Sequence, residues 1–181
     1  MFNIPKRKTI ALFGVHNDLD TPQEAFDEVR RIGQGLASLD VILATPVSQG
    51  FPLWGALGAH ESGGMTIGFS PASNAFEHEH YFRLPSDHHS TVVYTGFGIL
   101  GRDLVLVRSV DFAIVVLGDT SPLHELSLLS ELQKITLVFI PASVESVIPT
   151  DLGEFVEVYT SEESLLNRVR DLVVSITSRN A

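Results

Sequence analysis

A chain of 181 residues has room for one domain with a full hydrophobic core, residues 1–181, and 44% hydrophobic against 19% charged residues excludes disorder. With 12 Lys and Arg against 22 Asp and Glu the net charge is -10; the densest basic run, Lys6-Arg7-Lys8, is too short to form the stripe a nucleic-acid binder needs. There is no cysteine, no run of the roughly 20 apolar residues that span a membrane, and no apolar signal core in the start MFNIPKRKTI, so the expectation is a cytoplasmic protein with neither nucleic acid nor membrane as partner.

Short β-branched runs alternate with helix-period segments, the pattern of a parallel sheet covered on both faces. The first strand is Thr9 to Gly14, apolar on both alternating faces and followed by Gly14-Val15-His16-Asn17-Asp18. A helix then starts at Thr21, read as its cap, with Pro22 at the first helical position and Glu24 completing a capping box. Ala25, Phe26, Val29, Ile32, Gly33 and Leu36 make its buried face. The second strand, Val41 to Thr45, runs into Thr45-Pro46-Val47-Ser48-Gln49-Gly50, and a helix over Pro52 to Glu61 stops at Gly63-Gly64. Phe51 and Trp54, at its start, read as core aromatics.

The third strand is Met65 to Phe69 and the fourth Thr91 to Thr95. Between them, Ser70 to Ser90 has no clear periodicity and is long enough to be a lid or an interface segment. It holds His78-Glu79-His80 and His88-His89, which lack the fixed helical offset of a zinc motif and read as exposed loop histidines, with no metal site expected. Gly96-Phe97-Gly98 leads into a helix whose segment Ile99 to Val107 is apolar around more of its circumference than one sheet-facing stripe needs. Strands Phe112 to Leu117, Thr136 to Ile140 and Phe155 to Tyr159 follow. A last helix after Ser161 puts Leu165, Leu166, Val169, Leu172, Val173 and Ile176 on one stripe. The fold class is α/β, a Rossmann-like three-layer fold with a mainly parallel seven-stranded sheet and right-handed crossovers. Ligands of such sheets bind beyond the carboxyl ends of the strands, where glycines and small hydroxyl residues recur in this chain.

The segments GAHESGGMTIGFSP and TGFGILGRDLVLVRSVDFAIVVLGDTSPLHEL resemble the SLOG superfamily over roughly the first 140 residues. That superfamily includes Lonely Guy (LOG) phosphoribohydrolases, proteins mislabelled lysine decarboxylases, and molybdenum-cofactor carrier proteins; the carrier-protein branch is the most similar. The resemblance implies a Rossmann-like, usually dimeric protein, here with contacts around Leu53 to Leu57 and Ile99 to Val107. It also implies a phosphate-bearing ligand on a glycine-rich loop: a nucleotide, a modified nucleotide or a phosphorylated cofactor such as the molybdenum cofactor. The implied ligand bed is Gly14, Thr45, Gly96, Gly98, Arg102, Gly118, Thr120 and Ser121. In the hydrolases of the family an arginine after the fourth strand and a glutamate ending the loop do the chemistry, and Arg102 and Glu125 stand at those places; the other reading is an ion pair of Arg102 with Asp103 or Glu125 that only orders the helix ends. The loop departs from the GGGTGTLSE-like pattern: it reads Leu117-Gly118-Asp119-Thr120-Ser121-Pro122-Leu123-His124-Glu125. Asp119 adds negative charge, Pro122 deletes an N–H group, and Asp103 replaces the asparagine or lysine that commonly follows the arginine. Three readings follow: a binder of a phosphorylated ligand, a nucleoside-monophosphate phosphoribohydrolase using Arg102 and Glu125, and an interaction protein with a vestigial pocket.

Overall fold

The computed structural model describes residues 7–15, 21–118, 122–145 and 153–179. Seven strands form one sheet: β1 (Thr9–Gly14), β2 (Ile42–Thr45), β3 (Met65–Ser70), β4 (Thr91–Tyr94), β5 (Phe112–Val116), β6 (Thr136–Phe139) and β7 (Val156–Tyr159). Every expected strand is present with its ends within one residue, and the sheet is parallel throughout rather than mainly so. The spatial order is β4-β3-β2-β1-β5-β6-β7. The chain therefore builds outward from β1 in one direction, returns, and builds outward from β5 in the other, so the crossovers diverge between β1 and β5.

Alternation along the strands divides the core in two. Ile10, Leu12, Phe112, Ile114, Val116, Leu137 and Phe139 face α1 (Gln23–Ser38), α2 (Phe51–Glu61) and α6 (Glu162–Arg179). Ala11, Phe13, Ala113, Val115 and Val138 face α4 (Gly98–Ser109) and α5 (Leu123–Glu131). Phe51 belongs to the first core, and Trp54 packs beside Phe26, their ring centroids 5.6 Å apart, so both aromatics are structural. No helix among the described residues is long and apolar enough to cross a membrane.

Two local expectations are overturned. Thr21 does not cap α1: Pro22 occupies the cap position in an extended conformation (ψ 144°), its carbonyl accepts the Ala25 N–H at 3.1 Å, and no side chain caps the helix. The unpatterned segment between β3 and β4 contains one helical turn, α3 (Ala75–Glu77), capped by Asn74 Oδ1 on the Glu77 N–H and continuing as a wider π turn over His78–Phe82.

The closest helix contact is made by glycines. On α1, a Cβ at Gly33 would collide with the Gly55 carbonyl; on α2, a Cβ at Gly58 would collide with the Arg30 carbonyl. The two backbones approach too closely for any side chain between them, and relief requires moving a helix. Gly58→Ala is accordingly expected to lower stability by about 2–3 kcal/mol, measured as a shift in the urea unfolding midpoint with unchanged slope.

Candidate functional site

The carboxyl ends of the strands carry the residues singled out by the sequence. Gly14 and Gly118 flank the divergence of crossovers between β1 and β5, and both are close-packed from within. A Cβ at Gly14 would meet Phe51 at 3.0 Å and the Val116 carbonyl at 3.1 Å, and one at Gly118 would press into Val15. Thr120 and Ser121, like Asp119 and His16 to Asp18, lie outside the described residues. Pro122 stands at the cap position of α5, which has no side-chain cap among the described residues. Gly96 and Gly98 differ in kind from the first pair. Both have left-handed backbones (φ 70° and 67°), and apart from its chain neighbours and the backbone of its own helix no atom lies within 4 Å of the place a Gly98 side chain would begin. The chain thus turns sharply off β4 and starts α4 with the Gly96 and Gly98 N–H groups bonded to the Ala72 and Pro71 carbonyls and with open space where a Gly98 side chain would stand.

Arg102 and Glu125 do come together. They lie on α4 and α5, which pack on the same face of the sheet, and with Asp103 they form a buried charged cluster: Arg102 is 3% exposed, Asp103 2% and Glu125 4%. Neighbouring positions on a helix seldom face one another, yet Arg102 Nε lies 2.7 Å from Asp103 Oδ1. The guanidinium Nη1 donates to the Pro46 carbonyl and, at 3.2 Å, to the Phe69 carbonyl, so it ties together the chain leaving β2 and the end of β3. Burial pulls the guanidinium below its ordinary value, an effect that the charge of Asp103 and then its hydrogen bond oppose. Burial likewise pushes the Glu125 carboxyl up; its own backbone N–H at the start of α5 opposes this, and repulsion from Asp103 adds to it. Within this cluster the arginine is already neutralised and the glutamate is biased toward its protonated form.

A second set of contacts was not legible beforehand. Thr45 Oγ1, at the end of β2, lies 2.7 Å from His89 Nε2, and Ser70 Oγ, at the end of β3, lies 2.8 Å from His78 Nδ1. His78 is wholly buried and His89 half-buried, which corrects the reading of exposed loop histidines. A sequence signal did exist: histidines were concentrated in the segment without periodicity, next to strand ends rich in hydroxyl residues. Between these contacts Val47, fully buried and β-branched, holds a left-handed backbone (φ 49°) that such residues rarely adopt. Among the described residues, no group of three or more His, Cys, Asp or Glu is arranged to hold a metal ion.

The raised Glu125 value has a measurable consequence. The folded state holds this proton more tightly than the unfolded chain, so the stability it contributes is full below the ordinary value of 4.5 and is lost as pH rises through the raised value. Glu125→Gln removes that titration. Relative to the unmodified protein the variant should gain about 1.4 kcal/mol for each pH unit inside this window, followed by urea unfolding across the acid range.

The family model described as the SLOG cluster4 family matches residues 7–166. Among solved structures, the molybdenum cofactor binding protein from Rippkaea orientalis is similar at 20% identity, covering 94% of this chain and 99% of its own, with a TM-score of 0.77. A Moco carrier protein from Chlamydomonas reinhardtii is similar at 20% identity over 94% of this chain and 99% of its own, TM-score 0.74. DNA processing protein A from Helicobacter pylori, described by its single-stranded DNA binding mode, is similar at 14% identity over 91% of this chain and 80% of its own, TM-score 0.65. No functionally curated protein matches the chain. At these identities the structural likeness establishes the fold, and the family match covers most of the sequence: the chain belongs to the SLOG cluster 4 family.

Proposed function

We propose that the protein binds a small phosphorylated ligand, a nucleotide or a cofactor of the molybdenum-cofactor kind, at the carboxyl edge of its sheet and releases it unchanged. The observation that carries this reading is the engagement of Arg102. A phosphoribohydrolase needs this guanidinium to fix phosphate or leaving group while a carboxylate stabilises charge growing on the ribose. In this chain it is bonded to the Pro46 and Phe69 carbonyls and neutralised by Asp103. Glu125, biased toward its protonated form, is also poorly suited to stabilising a developing cation. An anionic ligand would instead meet the start of α4, where the Gly98 N–H is held by the Pro71 carbonyl at 3.1 Å but no side chain caps the peptide groups that follow. The similarity to carrier proteins named for the molybdenum cofactor supports binding over turnover. The net charge of -10 weighs against the single-stranded DNA of the more distant DNA processing protein.

The test is direct. Purified protein incubated with adenosine or cytidine monophosphate should release no free base by chromatography, while its melting temperature should rise with a nucleotide or cofactor from a ligand panel. Base release abolished by Glu125→Ala would replace this reading with the hydrolase.

The same proposal includes self-association. Of thirteen large apolar side chains exposed among the described residues, eight fall between 76 and 104, including Phe76 (72%), Tyr81 (77%), Phe97 (70%) and Leu100 (68%). They sit on the segment preceding β4, on β4 itself at the sheet edge, and on α4. Side chains so exposed present an area on the order of the ~800 Å² that each partner buries in a standard interface. The segment Ile99 to Val107 thus keeps an uncovered apolar face, whereas Leu53 and Leu57 are half-buried on a helix packed against α1. Light scattering at micromolar concentration should give a dimer or larger mass, and Leu100→Glu should shift it toward the monomer. A monomer mass for the unmodified protein would remove this part of the reading.

A further inference from the structure

The segment between β3 and β4 runs from Ser70 to Ser90, and two of its side chains reach into the interior. His78, from the π turn, meets Ser70 at the end of β3; His89, just before β4, meets Thr45 at the end of β2. Each hydroxyl also serves the local backbone: Ser70 Oγ accepts the Ala72 N–H at 3.1 Å, and Thr45 Oγ1 accepts the Val47 N–H at 3.4 Å. Each imidazole is therefore keyed to a hydroxyl that shapes the turn leaving its strand. Between the two contacts the backbone is left-handed at Arg83 (φ 52°) and again at His88 (φ 65°), conformations that disfavour residues other than glycine. The segment is held in place against local strain.

We propose that residues 71–90 are an acid-releasable strap, fastened across the carboxyl ends of β2 and β3 by two neutral imidazoles, so that access to this edge of the sheet depends on pH. The reading stands apart from the identity of any ligand.

Charge explains the direction. Burial lowers both imidazoles below their ordinary value of 6.5. Around His78, Glu79 is the carboxylate that favours the charged form, and Tyr94 of β4 lies edge-on with its centroid 5.9 Å away. Around His89, the Asp87 and Ser86 backbone favours charge, while His88 and His78 oppose it. From α4, the fixed cation Arg102 bonds the carbonyls of Pro46 and Phe69, the residues adjoining Thr45 and Ser70, with Asp103 as its counter-ion. Protonating either imidazole therefore places a buried charge among groups already in balance, and protonating one opposes the other. Because the fastened values are depressed, the fastening is complete above 6.5 and is lost as pH falls from there toward the depressed values.

Hydrogen exchange on the full-length protein tests this, with rates corrected for the intrinsic pH dependence. From about pH 7.5 to about pH 5, amides of residues 71–90 should exchange at least about tenfold faster relative to those of β1 and β5, since each pH unit inside the window shifts the equilibrium about tenfold per imidazole. The double variant His78→Asn, His89→Gln keeps polar groups that do not titrate and should lose this acceleration. In parallel, imidazole chemical shifts in the unmodified protein should show His78 and His89 titrating below 6.5, which decides the matter should the double variant fail to fold. Exchange in the strap that keeps step with the core down to pH 5, acceleration that persists in the double variant, or both imidazoles titrating at 6.5 or above would each overturn the proposal.

Discussion

A guanidinium buried to 3% exposure must find its counter-charge and its acceptors inside the protein, and the way Arg102 does so shapes everything around it. Its carbonyl partners, Pro46 and Phe69, belong to the chain segments leaving two adjacent strands, so one side chain of α4 sets the position of both turns. Its carboxylate partner is the next residue in sequence, which fixes the rotation of α4 against the sheet. Removing the arginine would take the counter-charge from buried Asp103, and the left-handed turn at Val47 would lose the hydrogen bond that holds its neighbour. The proton bias of Glu125 comes first from its burial; Asp103 adds its repulsion, and Arg102, engaged by Asp103, compensates less than burial costs.

This arrangement divides the carboxyl edge into two parts with different capacities. Beside β1 and β5, glycines serve internal packing, with Phe51 and Val15 filling the space a side chain at Gly14 or Gly118 would take. Beside β4, glycines serve a left-handed turn and leave the start of α4 open at Gly98. A glycine at a strand end is thus ambiguous until its neighbours are known. Residue type alone assigns the same meaning to Gly14 and Gly98, although one is enclosed by an aromatic ring and the other faces open space.

The architecture was legible because its signals are local and agree with one another. After Thr9, TIALFG and FAIVVLG carry no polar side chain, as strands buried on both faces require, and each of the seven strand runs became a strand. The family resemblance placed Arg102 and Glu125 near one another across a strand, and they are neighbours. What stayed hidden depends on the third dimension. The order Arg102-Asp103 leaves an ion pair and a ligand-binding arginine equally open, since adjacent helical residues usually point apart and only the packing shows that these two pair. The bonds from His78 and His89 to Ser70 and Thr45 join residues 8 and 44 positions apart through a segment whose single helical turn is too short to show periodicity. The apparent capping box at Thr21 failed for a local reason: Pro22 is extended, so the helix begins one residue after it.

The balance of charge then decides what the edge can receive. With Arg102 set against Asp103 and Glu125 biased toward its neutral form, the buried cluster has no free cation to offer an incoming anion, and the molecule as a whole carries -10. On the proposed reading, a net charge of this sign gives no overall attraction to a phosphorylated ligand, and recognition would rest on short-range groups: peptide dipoles at the start of α4, hydroxyls at the strand ends, and shape. Short-range recognition is sensitive to position. The groups that hold the turns after β2 and β3 in position are the same ones that Arg102, Thr45 and Ser70 engage, so on the proposed reading the polar contacts beneath the edge, more than its surface charge, would determine binding there.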